Sequence, residues 1–300
     1  MRSSVLLAMG LLYVVWGSTY LAIRVTVETM PPLVSGGVRF LLAGALTLGV
    51  LAASGRLGAR PSPRELRGAL LSGVWILMGG VGVVTIAEAH VPSNLAAVLA
   101  STTSLWIVGY RALARERIGR GAIAGALIGV AGVIVLLSPG GSGTHSPWLL
   151  ATVLASLFWS TGSFYGRRLT QPADPFVGAV IQMFAAGTVM TVVGVVLDGV
   201  GSLDPTAPSA HSLLALAYLV LAGAAAFSAY VWALRTLPIS TVVSHQYVNP
   251  AVAVLLGAAL LGESLDASSI VGAALVIAAV FATVRSDASP APVSGGLASE

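Results

Sequence analysis

The 300-residue chain contains no cysteine and no lysine, and charge of either sign is scarce. Without cysteine there is no disulfide and no thiolate metal site. The lack of lysine makes every basic side chain an arginine, a pattern that high-GC coding bias produces without a chemical cause. Charged residues make up 9% of the chain and apolar ones 56%, a balance no soluble domain of this length sustains. A net charge of +4 would invite a nucleic-acid partner, but the arginines sit in short loops between apolar segments, which excludes that reading. Zinc-binding His-Glu-x-x-His and phosphate-binding P-loop motifs are missing, and no metal ligands cluster. No metal or cofactor is therefore expected, and neither a nucleophile nor a base can be named for an enzyme.

What fills the chain instead is a series of segments of about 20 apolar residues, each long enough to cross a hydrocarbon core of roughly 30 Å. We count ten, at 4–24, 33–53, 67–87, 92–111, 120–138, 146–166, 175–197, 213–234, 239–261 and 268–285. The first is too long for a signal-peptide core and lacks a small-residue cleavage site, so it is kept as a span. Residues 287–300 have too little apolar content to fold and are expected to form a disordered cytoplasmic tail. The reading is an all-α, multi-pass protein of the cytoplasmic membrane, its first partner the lipid bilayer.

The loops give the orientation. Arg56, Arg60, Arg64 and Arg67 lie around the 2–3 loop, and Arg111, Arg115, Arg117 and Arg120 around the 4–5 loop. Arg167, Arg168, Arg235 and Arg285 follow segments 6, 8 and 10. The remaining loops hold only Arg24, against Glu28, Glu88, Asp198, Asp204, Glu263 and Asp266. Arginine excess marks the cytoplasmic side, which predicts both termini inside.

The chain also repeats itself. Trp16-Gly17-Ser18 followed by Arg24 is matched by Trp159-Ser160-Thr161 followed by Arg167 at the same spacing. Val91-Pro92-Ser93-Asn94 answers to Leu237-Pro238-Ile239-Ser240, and both hydrophobic runs end at a glutamate, Glu116 and Glu263. Ile123-Ala124-Gly125-Ala126 answers to Ile270-Val271-Gly272-Ala273. We divide the chain into repeats at 1–140 and 141–286. Five spans is an odd number, so the second copy is upside down, and the partner loops carry opposite charge accordingly. Inverted repeats are the architecture of alternating-access transporters.

Several stretches carry a family resemblance. Leu12-Tyr13-Val14-Val15-Trp16-Gly17-Ser18-Thr19-Tyr20, Pro31-Pro32 and Gly37-Val38-Arg39-Phe40 resemble the opening of the EamA branch of the drug/metabolite transporter superfamily. So do Ala87-Glu88-Ala89-His90-Val91-Pro92-Ser93, which is similar to YedA-type exporters in particular, Ala100-Ser101-Thr102-Thr103, and Tyr247-Val248-Asn249-Pro250 leading to Gly262-Glu263. The resemblance covers about residues 5–285. It implies ten helices and export of small metabolites, amino acids or toxic analogues across the inner membrane. Two departures stand out: Ser104 replaces the proline that usually follows the paired threonines, so the kink is expected to differ between halves, and Arg115-Glu116 replaces Gly-Glu.

Candidate site residues follow from the cost of polarity in a bilayer. Arg39 lies about six residues, roughly 9 Å of rise, inside its segment, and an intramembrane arginine faces a cavity or a partner. It could hold a substrate carboxylate, with Glu88 exchanging a proton, or the two could form a structural ion pair. Its repeat counterpart is the neutral Gln182. His90 could titrate beside Glu88 or simply sit in water at the interface. His245, Gln246, Tyr247 and Asn249 precede Pro250, which frees the Gln246 carbonyl. They could meet substrate or only bond neighbouring helices. Trp16 and Trp159, with Ser18 and Thr161 beside them, lie too deep for interfacial anchors. Tyr20, Trp106, Tyr165, Tyr230 and Trp232 are read as packing or belt residues. Gly121, Gly125 and Gly129 are four apart on one helix face, and that helix is expected to pack around Gly272.

The function expected is a secondary transporter, an exporter of small organic metabolites, amino acids or drug-like compounds, working as a monomer through a largely neutral cavity. Proton coupling and facilitated diffusion are both open. An intramembrane enzyme and a non-transporting scaffold are the alternatives from other classes.

Overall fold

The computed structural model describes residues 2–58, 60–116, 118–137, 147–204, 208–243, 245–262 and 267–288. Arg117, the acidic loop with Glu263 and Asp266, and the expected tail from residue 289 lie outside the described residues. So does the Tyr247 side chain. Among the described residues the chain is helical throughout, without strands. Six helices are long and apolar enough to cross a membrane: Ser3–Thr26, Pro32–Ala53, Pro63–Glu88, Pro147–Gly166, Pro175–Asp198 and Ala210–Thr236.

In chain order the helices are α1 (Arg2–Thr26), α2 (Pro32–Ala53), α3 (Pro63–Gly73), α4 (Val83–Glu88), α5 (Ser93–Ala100), α6 (Thr103–Leu113) and α7 (Arg120–Leu137). Then come α8 (Pro147–Gly166), α9 (Pro175–Asp198), α10 (Ala210–Thr236), α11 (Ile239–Val242), α12 (His245–Leu261) and α13 (Ala267–Ala288). A π-helical stretch, Val74–Gly82, joins α3 to α4. Helix α3 opens on a capping box, in which the Glu65 amide donates to Ser62 Oγ and the Ser62 amide donates to Glu65 Oε2 at 2.7 Å. Pro63 takes the first helical position, where its missing N–H costs nothing.

The segment expected at 92–111 is broken between α5 and α6, and the absence of a proline does not prevent it. Four successive hydroxyls bond back to their own helix: Ser101 to the Val98 carbonyl, Thr102 to Leu99, Thr103 to Ala100 and Ser104 to Ser101. Such bonds compete with the regular backbone ladder. The local amides tighten accordingly, with Thr102 N–H on the Leu99 carbonyl and Leu105 N–H on that of Thr102. In the other half α12 continues through Pro250, and the interruption falls before it, between α11 and α12.

Between helices in a bilayer there is little hydrophobic gain to be had, so close packing holds the bundle together. Helix α1 packs on α10, α2 on α9, α7 on α13, and α8 on the π stretch. Gly125, Gly129 and Gly272 are buried, whereas Gly121, expected in the same face, is exposed at the start of α7. A close crossing joins α2 to α9. A Cβ at Gly187 would stand 2.9 Å from both the Gly37 carbonyl oxygen and the Leu41 amide nitrogen. Backbone cannot step aside cheaply. Gly187→Ala is therefore expected to cost about 1–3 kcal/mol, read as a lower melting temperature of the detergent-solubilised protein. Gly10→Ala, with nothing within 4 Å, is the control and should leave it unchanged.

The polar loops sort to two ends. Arg56 pairs with Asp174 at 2.9 Å, Glu116 pairs with both Arg111 and Arg168 at 2.9 Å, and Arg235 donates to the Pro172 carbonyl. At the opposite end Arg24 donates to the Glu88 carbonyl, Thr29 to Ser212 Oγ, and His90 stacks on Trp148.

Candidate functional site

Where α1, the π stretch, α8 and α12 converge they leave a cavity of about 70 Å³. Its wall is aromatic and hydroxyl-bearing: Trp16, Thr19 and Tyr20 from α1, Trp159 and Ser156 from α8, Thr103 from α6. Arg39 of α2 and His245, Gln246 and Asn249 of α12 complete the polar part.

Trp16 and Trp159 meet edge to face with centroids 5.2 Å apart. Trp16 also packs on Tyr230 at 4.8 Å and on His245 at 4.7 Å. The approach of Trp159 depends on the widened π turn. A Cβ at Gly80 would lie 2.9 Å from the Trp159 ring, so only glycine leaves room for the indole. Trp159 Nε1 donates to the Tyr230 hydroxyl at 2.9 Å, and the same hydroxyl is 2.6 Å from Ser163 Oγ. His245 Nδ1 lies 2.7 Å from the Val242 carbonyl. A carbonyl only accepts, so Nδ1 carries the proton in this bond.

Two polar atoms of the lining have no hydrogen-bond partner among the described residues, the Arg39 Nε donor and the Asn249 Oδ1 acceptor. Both are buried, which is costly unless something completes them. Arg39 lies against the Phe40 ring, 4.9 Å from its centroid. Glu88 is fully buried, and its charge acts on Arg39 and Tyr20.

The cavity thus gathers Trp16, Arg39, Trp159, His245 and Asn249 from the sequence candidates. Glu88 is buried nearby but is not part of its wall, and Ser18, Gln182 and His90 lie elsewhere. Ser18 turns away, its hydroxyl donating back to the Val14 and Val15 carbonyls and sitting 2.6 Å from that of Tyr218, because its neighbour Thr19 occupies the inward face of α1. Gln182 is buried but lines a separate cavity at the arginine-rich end. His90 is exposed, stacked on Trp148 at 4.3 Å. Conversely, Tyr20 lines the cavity and Tyr230 is wholly buried as the hub of its hydrogen bonds, where packing or belt roles were expected. Thr103, Ser156 and the Gly80 contact were not singled out by sequence. The hydroxyl run 101–104 was the available signal for Thr103.

An all-helical bundle with six clear spans around a small cavity lined by aromatic and polar side chains is a multi-pass membrane protein. The model of the EamA-like transporter family matches residues 3–138 and again 146–285, and the chain belongs to that family. It is 40% identical over 262 residues to the uncharacterized inner membrane transporter YedA of Escherichia coli (strain K12), covering 86% of this chain and 83% of that one. It is 26% identical to a probable amino-acid metabolite efflux pump of Salmonella typhimurium, over 91% and 92% of the two chains. A probable terminal-alkyne amino-acid exporter of Streptantibioticus cattleyicolor is 28% identical over 91% of each. A crystal structure of a protein 22% identical superposes with a TM-score of 0.66 over 94% of this chain and 98% of the other, a likeness of fold. The chain is a multi-pass inner-membrane protein.

Proposed function

We propose that the protein is a secondary transporter that exports small organic molecules across the cytoplasmic membrane by alternating access. Its working parts are two inverted five-helix repeats, with both termini in the cytoplasm. The observation that carries this reading is the meeting of Trp16 and Trp159 across the cavity. They hold the same place in the two halves, so the site lies on the seam between repeats, where rocking of one against the other would open it to each side in turn.

The packing supports the same scheme. Exchanging the halves turns the α1–α10 contact into that between α8 and the π stretch, and the α1–α12 contact into that between α8 and α6. It maps the α2–α9 and α7–α13 pairs onto themselves. The two stretches matched by the family model support the division at about residue 140. The sorting of Arg56, Arg111, Arg168 and Arg235 to one end supports a cytoplasmic assignment for that end. A monomer supplies both orientations.

Cargo class follows from the lining. One guanidinium among aromatics, hydroxyls and amides suits a neutral or zwitterionic molecule, whereas a phosphate-rich one would need several cations. The names of the Salmonella and Streptantibioticus relatives agree with amino-acid-like cargo. A cavity of about 70 Å³ holds a few waters, well short of the roughly 300 Å³ of a drug-sized site, so its walls must part to load. The test compares metabolites inside and outside cells with and without the protein. A small organic compound should accumulate outside only when the protein is present, and identical profiles at verified membrane levels would refute export of host metabolites.

A further inference from the structure

The larger of the two main cavities is not the central one. It lies at the arginine-rich end, between α3, α8, α9 and α10, and holds about 290 Å³. It has a counterpart. The 143-residue step that carries Trp16 to Trp159 carries Ile23, Thr26, Ser35 and Arg39 onto Gly166, Leu169, Gly178 and Gln182. The first four line a void of about 10 Å³ near the opposite end, and the second four line the large cavity. Glycine in place of Ile23 and Ser35 is what leaves the second one roomy.

Its chemistry is that of an anion site with one acceptor. Arg167 and Arg235 line it, and no aspartate or glutamate does. Arg167 makes no hydrogen bond or ion pair among the described residues, and Arg235 gives one N–H to the Pro172 carbonyl and keeps others in reserve. Deeper in, Gln182 is 3% exposed and its Oε1 has no partner. Gln171 is already engaged, donating to Ser72 Oγ at 3.0 Å and to the Gly166 carbonyl at 3.1 Å, so it fixes the wall. Two guanidinium forks match a carboxylate, and a buried bare carbonyl asks for an N–H or O–H. Trp159, in the wall of the central cavity, is linked through the Tyr230 hydroxyl to Ser163, the chain neighbour of Gly162 in the wall of this one.

We propose that this cavity binds a small carboxylate that also carries a hydrogen-bond donor, with Arg167 and Arg235 on the carboxylate and Gln182 Oε1 on the donor. This rests on the transporter reading and deepens it, making the cavity the station that cargo occupies at the arginine-rich end. The same anionic oxygens could come from a lipid headgroup, and the test separates the two sources.

The chain has no cysteine, so one introduced thiol reports alone. Gly178→Cys is suited to it, because a Cβ there meets only the Pro172 side chain, at 3.7 Å. The purified protein is labelled with the sulfonatoethyl and the trimethylammonioethyl methanethiosulfonates. The anionic reagent should react about tenfold faster than the cationic one. That preference should vanish when Arg167→Gln and Arg235→Gln are added. L-alanine should slow labelling more than propionate, alaninamide should have no effect, and Gln182→Leu should make alanine and propionate equal. A preference indifferent to the two arginines, or protection by alaninamide equal to that by alanine, would overturn the proposal. So would labelling that phosphatidylglycerol in nanodiscs blocks and alanine leaves alone, since the occupant would then be lipid. The readout needs no flux. Saturable efflux without charge preference removes this site and leaves the transporter, and protection without efflux does the reverse.

Discussion

Arg39→Met is expected to lower efflux about tenfold or more, and pairing it with Glu88→Gln is expected not to restore transport. Arg39 lies within the bundle at 6% exposure, beside the cavity, with its Nε unengaged. A charge-assisted hydrogen bond to cargo is worth about 1.5–3 kcal/mol, and tenfold corresponds to about 1.4 kcal/mol. Glu88, fully buried, exerts its charge on Arg39, so removing Arg39 alone also leaves a buried carboxylate less compensated. Leaving a buried charge less compensated is destabilising. The double substitution removes both charges and should recover most of the lost thermal stability. If Arg39 is only half of a structural pair, transport should recover with it. On the present account stability returns and efflux does not, which efflux assays at matched membrane levels, alongside melting curves, will decide.

Trp16→Ala and Trp159→Ala are expected to have similar effects, each reducing efflux to about a tenth or less. Each removes one side of the same edge-to-face contact. Truncating a buried tryptophan such as Trp16 costs about 3–5 kcal/mol; Trp159 is partly buried, and its loss also strips a donor from the Tyr230 hydroxyl. The conservative changes separate folding from function. Trp159→Phe keeps the ring and loses the N–H, so the protein should assemble yet transport less than Trp16→Phe. Trp75, 42% exposed and tilted on Phe158, is the control, and Trp75→Phe should transport as wild type. Unequal effects of the two alanine variants would place the site in one half, not on a shared seam.

How much of this was legible in the sequence depends on the kind of signal. Hydropathy marked the long spans, because bilayer thickness imposes their length, and the matched Trp16 and Trp159 marked the centre. A single inward arginine, Arg39, is conspicuous wherever charge is rare. Side-chain direction was not legible. Ser18 and Thr19 are adjacent hydroxyls, and only the rotation of α1 decides that Thr19 faces the cavity. Gln182 was recognised as the counterpart of Arg39, but in the folded chain it lines a separate cavity at the arginine-rich end. The π stretch at Val74–Gly82 leaves no trace in apolar periodicity, since all its residues are apolar or glycine. It is nonetheless what brings Gly80 against Trp159. The break after Ala100 shows the reverse case, a hydroxyl run that was visible but was not read as a break. The usual proline is missing, and the hydroxyls of Ser101 to Ser104 interrupt the helix instead.

The central claim is that one cavity serves both faces of the membrane, and a single thiol in its wall tests that most directly. Thr103 lines the cavity at 2% exposure and is close to cysteine in size, so Thr103→Cys gives the otherwise thiol-free chain one reporter. Vesicles of each orientation would be treated with a membrane-impermeant maleimide, and the labelled fraction measured over time. The account predicts labelling from both sides, slowed from each by transported cargo. A thiol reached from one side alone, at every cargo concentration, would contradict it.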